Sequence, residues 1–200
     1  MFRRFVIPKR LLQKTLDHYK ERSIIPIIDY AVEHNNNSDA FEYQFETILR
    51  EFPYHFHAMK LSGCNLCPQT AQRLIQVARE QRCNVLIDAE NAHIQSEIDM
   101  IATNEMMLNP MVFKTYQMYR KDGLQNLLYD IALFQRERRM LNVKLVRGAY
   151  HHTDKQSGEL FMDKHDTDTA YNAAVNMILK NEDHFQKVIF ATHNRTSFHM

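Results

Sequence analysis

The segment V-K-L-V-R-G-A-Y (Val143–Tyr150) begins with a short, largely apolar run, which is followed directly by an arginine and a glycine. Five other apolar runs of similar length occur along the chain, each bounded by polar or turn residues. The six runs are Ser23–Tyr30, Phe56–Leu61, Asn84–Ala89, Met111–Gln117, Asn142–Gly148 and Val188–His193. Runs of this kind are typical of strands in parallel sheets, which are buried on both faces. The pattern therefore predicts six strands of a parallel sheet.

Stretches with helical periodicity separate the predicted strands. One begins at Pro68, a residue that favours the first helical turn, and it places Ala71, Leu74, Ile75 and Ala78 on a single face. A second apolar face comprises Leu124, Leu127, Leu128 and Ile131, and a third comprises Tyr171, Ala174, Val175 and Ile178, in a helix that Thr167 or Asp168 would cap. Asn35–Ser38 is the one soft loop of the chain.

Strands that alternate with helices predict a parallel sheet with the helices outside it. Such a sheet is either doubly wound or closed into a barrel. A doubly wound sheet of the dinucleotide-binding type carries a glycine-rich fingerprint after a strand, and none follows the predicted strands. The prediction is a single α/β domain over residues 1–200, a distorted (β/α)8 barrel of the TIM type with about six βα units present.

Polar residues close the predicted strands. Lys60, Asp88, Gln117 and Arg147 follow one another at intervals of 28, 29 and 30 residues, and His193 closes the sixth run beside Thr192. Catalytic residues of barrel enzymes lie at the C-terminal ends of several strands. These side chains are therefore predicted to share one rim.

Lys144 and Arg147 are three residues apart, so an ideal strand would direct their side chains to opposite faces. Both face the site only if the strand ends near Arg147, which Gly148 permits. An alternative constellation is a metal site built on His55 and His57, with Asp88 and His193, as in metal-dependent hydrolase barrels. The two histidines precede Lys60, away from the C-terminal rim, which disfavours this alternative.

The composition argues against two classes of function. The formal net charge is +1, so bulk charge gives no reason to expect nucleic-acid binding. No run approaches the roughly 20 apolar residues of a membrane-spanning helix. Cys64, Cys67 and Cys83 have no nearby histidine to complete a set of four zinc ligands, which favours structural thiols. Their odd number favours a reducing compartment. The basic stretch Met1–Lys14 is interpreted as the first helix of the domain rather than a presequence.

Five motifs occur in order along the chain: I-D-A-E (Ile87–Glu90), T-Y-Q-M-Y (Thr115–Tyr119), K-L-V-R-G-A-Y (Lys144–Tyr150), T-D-T-A-Y-N (Thr167–Asn172) and A-T-H-N (Ala191–Asn194). In order and spacing they resemble the proline dehydrogenase family, most of all its eukaryotic type. P-I-I-D-Y-A-V-E (Pro26–Glu33) is similar to the first barrel strand of that family. The resemblance covers nearly the whole chain, and R-G-A-Y is its most specific part.

The resemblance implies FAD-dependent oxidation of L-proline to Δ1-pyrroline-5-carboxylate, with hydride passing to flavin N5 and a quinone as electron acceptor. It also implies a mitochondrial protein with peripheral membrane association. The implied catalytic residues are Lys60, Asp88, Lys144 and Arg147. The implied FAD contacts are Ala89, Gln117, Arg147, Gly148, Ala149, Thr192 and His193. A cation such as Arg147 near N5 would stabilise the negative charge that arrives with the hydride.

Two departures from the family pattern lead to further expectations. Asp154 stands where many relatives carry Glu, and the shorter carboxylate predicts a weaker ion pair. The chain is also expected to lack the last two strands and the final helix, whose Tyr-x-x-Arg-Arg element grips the proline carboxylate. Arg138-Arg139 cannot replace that element, because Gln135 stands where its tyrosine would be, and Arg3-Arg4 cannot either. The open first and sixth strands would then favour self-association, so a non-catalytic partial barrel that needs a partner is an alternative function.

Overall fold

The computed structural model describes residues 7–30 and 38–199. In these residues, β5 (Leu141–Val146) pairs in parallel with β4 (Val112–Gln117) on one side and β6 (Phe185–Phe190) on the other. The sheet continues through β3 (Asn84–Ile87) and β2 (Phe56–Met59) to β1 (Ile27–Asp29), so that strand order follows chain order. All the pairings are parallel, as the buried apolar runs predict.

Helices connect the strands. They are α1 (Lys9–Glu21), α2 (Ser38–Glu51), α3 (Pro68–Glu80), α4 (Ala92–Leu108), α5 (Gly123–Arg136), α6 (His151–Asp154), α7 (Lys164–Lys180) and α8 (Arg195–Phe198), with 3-10 turns at Leu61–Cys64, Lys155–Ser157 and Glu182–His184. The predicted apolar faces of α3 and α7 are buried. Within the described ranges, no helix has the length and apolar character needed to cross a membrane.

Two sequence-based predictions about the helices need correction. In α5, Leu127 and Ile131 are buried, but Leu128 is 47% exposed because the buried face continues to Phe134 instead. Neither Thr167 nor Asp168 caps α7. The helix begins four residues earlier, where the side chain of Asp163 accepts a hydrogen bond from the His165 amide at 2.8 Å.

The bounds of two strands also differ from the apolar runs. Ser23 and Ile24 terminate α1, since their amides bond to the carbonyls of Lys20 and Tyr19, so β1 begins only at Ile27. β6 begins at Phe185, before the run, because the exposed residues that follow Phe185 continue its pairing with β5. The predicted loop residues 35–37 and residues 1–6 lie outside the described residues.

The sheet is strongly curved. Lys187 on β6 places its Nζ 3.0 Å from Oδ1 of Asn84 on β3 and 5.7 Å from the ring centre of Phe56 on β2. In a flat sheet, β6 and β3 would lie three strand spacings apart, about 14 Å. Side chains that meet across this distance show that the sheet curls, as the wall of a (β/α) barrel does. The described sheet therefore provides a concave face and a convex face covered by helices.

Candidate active site

A row of polar side chains lies on the concave face near the C-terminal ends of the strands. Nζ of Lys144 on β5 is 2.5 Å from Oδ1 of Asp88, which follows β3. The two side chains are only 16% and 17% exposed. Thr115 is the register partner of Lys144 on β4, and its buried hydroxyl has no hydrogen-bond partner among the residues that the structure describes. The strand between the two charged residues thus contributes a polar group to the same row.

Lys60 follows β2 and lies beside Asp88, which follows the adjacent strand β3. The register pairs Met59 with Ile87, so Lys60 and Asp88 are the next residues along adjacent strands, and the amide of Asp88 donates to the Met59 carbonyl at 2.9 Å. The Lys60 residue is buried, at 7% exposure. The predicted residues Lys60, Asp88 and Lys144 therefore belong to one region, with two ammonium groups and one carboxylate.

Gln117 extends this region at the end of β4. Its Nε2 donates to the carbonyl of Glu90 at 3.2 Å, whereas its buried Oε1 has no hydrogen-bond partner in the described structure. The carboxylate of Glu90 accepts hydrogen bonds from the amide and hydroxyl of Ser62. Glu90 therefore connects the segments that follow β2 and β3 with the end of β4, and the buried Ala89 directly precedes it in the sequence.

Arg147 follows β5, which ends at Val146. Its guanidinium donates to Asp168 at 2.6 Å, to Thr192 at 2.7 Å and to Ser197 at 2.8 Å, and lies 4.1 Å from the ring centre of Tyr171. Asp168 also pairs with Lys164, and these cations outweigh burial, so the pKa of Asp168 is lowered. The guanidinium therefore has a fixed orientation, stacked on an aromatic ring.

The structure separates the two basic residues of the K-L-V-R segment. Lys144 contacts Asp88 on the concave face, while Arg147 contacts residues of α7 and of the segment after β6. Thr192 thus joins Arg147 as predicted, and the neighbouring His193 is exposed. The alternation of strand side chains explains this division even though the strand ends at Val146.

Gly148 has a φ of +135°, a conformation that L side chains rarely adopt. A Cβ atom at this position would also overlap the ring of Tyr119. Gly148 and Ala149 are exposed, so their backbone is accessible at the rim. The neighbouring Asp154 differs from expectation, since its buried carboxylate accepts a hydrogen bond from the Tyr119 hydroxyl at 2.7 Å, rather than forming one of the ion pairs that the described residues make.

His55 and His57 lie at the other end of β2. Their ring nitrogens contact the backbone carbonyls of Pro53 at 2.7 Å and Phe52 at 3.0 Å. Burial lowers the pKa of His57 to about 4. Among the described residues, no group of three or more His, Cys, Asp or Glu side chains is placed to hold a metal ion. The geometry gives the hydrolase alternative no support.

The cysteines are free thiols. Cys64 and Cys83 are buried, and burial raises the pKa of Cys64 to about 12. The Cys64 thiol bonds to the Leu61 carbonyl at 3.3 Å, while that of Cys67 bonds to the Gln69 side chain at 3.4 Å. These contacts fit the structural role predicted from the sequence.

Three residues of this region carry no role in the sequence-based site: Asp168, Tyr171 and Ser197. All contact Arg147. Asp168 and Tyr171 lie three residues apart in the T-D-T-A-Y-N motif, a spacing that places them on one side of a helix. That spacing, taken together with an arginine in need of a partner, is the signal that could have identified them.

Comparison with known proteins places these residues in a family. The family model for proline dehydrogenase matches residues 12–200. The carbapenem antibiotics biosynthesis protein CarD of Pectobacterium carotovorum subsp. carotovorum is 26% identical over 223 residues, which cover 93% of this chain and 59% of that protein. The mitochondrial proline dehydrogenase 1 of Homo sapiens is 38% identical over 82 residues, covering 38% of this chain and 14% of that protein.

Solved structures match in fold. Proline utilization A from Bdellovibrio bacteriovorus, inactivated by N-propargylglycine, has a TM-score of 0.83 at 11% identity, over 93% of this chain and 24% of that one. The Bradyrhizobium japonicum protein of the same name, in its D778Y mutant, has a TM-score of 0.64 at 23% identity, over 80% and 20%. This chain thus spans less than two thirds of each of these relatives. With a family model matched over nearly its whole length, the chain belongs to the proline dehydrogenase family.

Proposed function

We propose that this chain carries the cofactor and substrate residues of an FAD-dependent enzyme that oxidises L-proline to Δ1-pyrroline-5-carboxylate in proline catabolism. Membership of the proline dehydrogenase family supports the reaction class. The observation that carries the proposal is the contact of Lys144 with Asp88, next to Lys60, at the C-terminal rim of the sheet. This is the rim at which barrel enzymes bind their substrates.

The charges of the row suit an amino acid substrate. Lys60 and Lys144 bring ammonium groups to the row and Asp88 a carboxylate, so the carboxylate and the amine of an amino acid would each meet an opposite charge there. Because Lys60 and Lys144 are both largely screened from water, their attraction for an anion is stronger than that of exposed lysines.

The same charges assist the loss of the substrate proton. Oxidation of proline removes a hydride from the ring carbon next to nitrogen and a proton from the nitrogen, and it requires the neutral amine. The ammonium groups of Lys60 and Lys144 disfavour a further positive charge on a bound amine, whereas the Asp88 carboxylate favours one, so the three residues together set the pKa of the amine. The two cations would favour release of the amine proton to solvent before the hydride leaves, while Asp88 keeps Lys144 oriented.

The residues at the rim fit FAD. Within residues 7–30 and 38–199, the buried Oε1 of Gln117 has no hydrogen-bond partner, as expected of an acceptor that bonds to an N–H group of a ligand. Gly148 and Ala149 present exposed backbone, and Arg147 and Thr192 are already joined by a hydrogen bond. Bound there, FAD would accept the hydride from proline. We propose Ala89, Gln117, Arg147, Gly148, Ala149, Thr192 and His193 as its contacts.

The acceptor and the location of the protein are part of the proposal. Resemblance to the eukaryotic type supports a quinone as electron acceptor, peripheral association with a membrane, and a mitochondrial location. The relatives from Homo sapiens and Dictyostelium discoideum are named as mitochondrial, whereas the relative from Pectobacterium is bacterial. Import of the full gene product into isolated mitochondria is the direct test of location.

Reconstitution tests the reaction. The purified chain is mixed with FAD, freed of unbound flavin, and given L-proline without oxygen. We expect a yellow protein whose flavin absorbance bleaches with L-proline and not with D-proline. A hydroxyproline dehydrogenase from Bos taurus, 32% identical over 108 residues, makes trans-4-hydroxy-L-proline the second substrate to compare. A chain that stays colourless with FAD would overturn the proposal.

A second candidate function rests on the order of the strands. β1 and β6 form the two edges of the described sheet, and Phe190 on β6 is 37% exposed. Unpaired edges are templates for another strand, so a partial barrel completed by a partner chain is the alternative. Sedimentation that finds a folded monomer with bound FAD would contradict this alternative.

A further inference from the structure

The segments that follow β3, β4 and β5 meet at one buried carboxylate. Asp154, which is 1% exposed, lies at the end of α6 after β5. Its Oδ1 accepts a hydrogen bond from the amide of Ala92, the first residue of α4, at 3.0 Å. Its Oδ2 accepts one from the hydroxyl of Tyr119, two residues after β4, at 2.7 Å. Three separate connections are thereby tied to one side chain.

Tyr119 links Asp154 to the glycine of the R-G-A-Y segment. Its ring packs against Gly148 so closely that a Cβ there would overlap it. Its amide donates to the Arg147 carbonyl at 2.6 Å, and its carbonyl accepts from the Phe161 amide at 2.9 Å. The ring, the hydroxyl and the backbone of Tyr119 therefore together fix the position of the Gly148 backbone.

The hydrogen bonds explain why a carboxylate is stable at this place. A buried carboxylate needs donors in place of water, and Asp154 has the Ala92 amide, the Tyr119 hydroxyl and the Thr153 hydroxyl, the last at 3.2 Å. Burial, followed by the hydrogen bond to Asp154, raises the pKa of Tyr119. The phenol thus stays protonated and remains a donor. An amide in place of the carboxylate could not accept from both sides, because one of its two groups only donates.

We propose that Asp154 is a positioning residue that, through Tyr119, holds the segments carrying Ala89, Gln117 and Gly148 in the arrangement that binds FAD. This inference rests on the proposed function, because FAD is the ligand whose contacts these segments supply. The side chain of Asp154 is buried behind them and acts through Tyr119 and Ala92 rather than by touching the cofactor.

Two variants test the role of this carboxylate, and the chain offers a matched control. Asp154→Asn removes one of the two acceptor oxygens, and Tyr119→Phe removes one donor while keeping the ring on Gly148. The control is Tyr116→Phe, since Tyr116 is equally buried and donates to the buried Asp130 at 2.7 Å, away from the rim. The dissociation constant for FAD, the visible spectrum of bound flavin, the melting temperature and hydrogen exchange of residues 147–150 are measured for each variant.

We expect FAD binding to weaken about tenfold in Asp154→Asn and Tyr119→Phe, as loss of one buried hydrogen bond implies. Exchange of residues 147–150 should accelerate in both. Tyr116→Phe should melt at a lower temperature but keep its affinity for FAD and its exchange rates at 147–150. Asp154→Glu keeps the carboxylate, so its affinity for FAD should be closer to that of the wild type than the affinity of Asp154→Asn.

Equal weakening of FAD binding by Tyr116→Phe would overturn the inference, since it would mean that any loss of stability has this effect. Unchanged affinity in a folded Asp154→Asn variant would overturn it as well. If the wild-type chain itself binds no FAD, the proposed function fails. Hydrogen exchange then still decides whether Asp154 orders the rim, and exchange rates that are the same in wild type and Asp154→Asn would reject that too.

Discussion

Nζ of Lys144 contacts Oδ1 of Asp88 at 2.5 Å, although β4 lies between the strands that carry the two residues. The contact spans two strand spacings, roughly 10 Å of sheet, and both side chains are less than one-fifth exposed. Such a bridge across a concave face fixes the position of the ammonium group above the central strand. Under the proposed function, Lys144 would present this positive charge to the substrate.

Replacing this lysine tests its part in catalysis. Lys144→Met keeps the length of the side chain and removes the charge, so proline-dependent reduction should slow by about 100-fold, as for loss of one oriented electrostatic group. FAD binding should persist, because Lys144 is not among the proposed cofactor contacts. Stopped-flow absorbance of the reconstituted protein measures both effects.

Lys187→Met is the matched control for that variant. Lys187 is also on the concave face, but it bonds to Asn84 at the opposite end of the sheet. Its replacement should leave the rate of reduction unchanged. Equal rates in wild type and Lys144→Met would contradict a role for Lys144.

Gly148→Ala should impair both stability and flavin binding. The φ of +135° strains an alanine, and its Cβ would overlap the Tyr119 ring. Together these effects should lower the free energy of unfolding by about 1–3 kcal/mol, the cost of a strained backbone residue. Urea unfolding followed by circular dichroism measures the loss.

Gly158→Ala separates the cost of backbone strain from the cost of overlap between the new Cβ and the Tyr119 ring. Gly158 also has a positive φ, of +75°, but a Cβ there would have no atom within 4 Å. We expect the smaller destabilisation in this variant and an unchanged affinity for FAD. A Gly148→Ala protein as stable as Gly158→Ala would mean that the Tyr119 ring moves aside without cost.

The grouping of the strand-end residues could be predicted from the sequence, because these polar residues recur at the interval of one βα unit. Lys60, Asp88 and Gln117 each close an apolar run at nearly equal intervals, and parallel strands bring their C-terminal ends to one edge. The predicted helical face of α3 was equally reliable, since Pro68 and a periodic set of apolar residues give the same answer.

Contacts between distant segments carry no such local signal. Asp154 and Ala92 are 62 residues apart, and only the folded chain brings them together. Aspartate is a preferred N-cap residue, and two aspartates lie near the start of α7. Asp168 was predicted as a cap, but the actual cap is Asp163, five residues earlier. Which of two aspartates caps a helix and which pairs with Arg147 depends on tertiary packing, which outweighs local preference.

Removing one partner of the buried ion pair on the convex side should strongly destabilise the protein. Lys114 and Asp130 lie 2.7 Å apart with side chains only 5% and 3% exposed. Lys114→Met should destabilise the protein by about 3–5 kcal/mol, because it leaves a buried carboxylate without its cation. Chemical denaturation measures the change.

The double variant Lys114→Met/Asp130→Leu removes both charges of that pair. It should recover much of the lost stability, since a buried ion pair can often be replaced by apolar groups without large cost. A double variant less stable than Lys114→Met would instead assign the loss to the hydrogen bonds that Asp130 accepts from Tyr116 and Thr103.

His57 should make stability depend on pH. Burial lowers its pKa from 6.5 to about 4, so between these values the unfolded chain takes up a proton that the folded protein excludes. The stabilisation is complete above pH 6.5 and is lost as the pH falls towards 4, by about 3–4 kcal/mol in total at about 1.4 kcal/mol per pKa unit.

Unfolding free energies measured from pH 7 to pH 4.5 should therefore fall less steeply in His57→Gln, which keeps a donor for the Phe52 carbonyl and cannot be protonated. The difference between the two curves isolates His57 from the carboxylates that titrate in the same range. Should the variant not fold, titration of the His57 ring signals by NMR in the wild-type protein gives the pKa directly. A value near 6.5 would mean that water reaches the ring, and the predicted loss of stability would not occur.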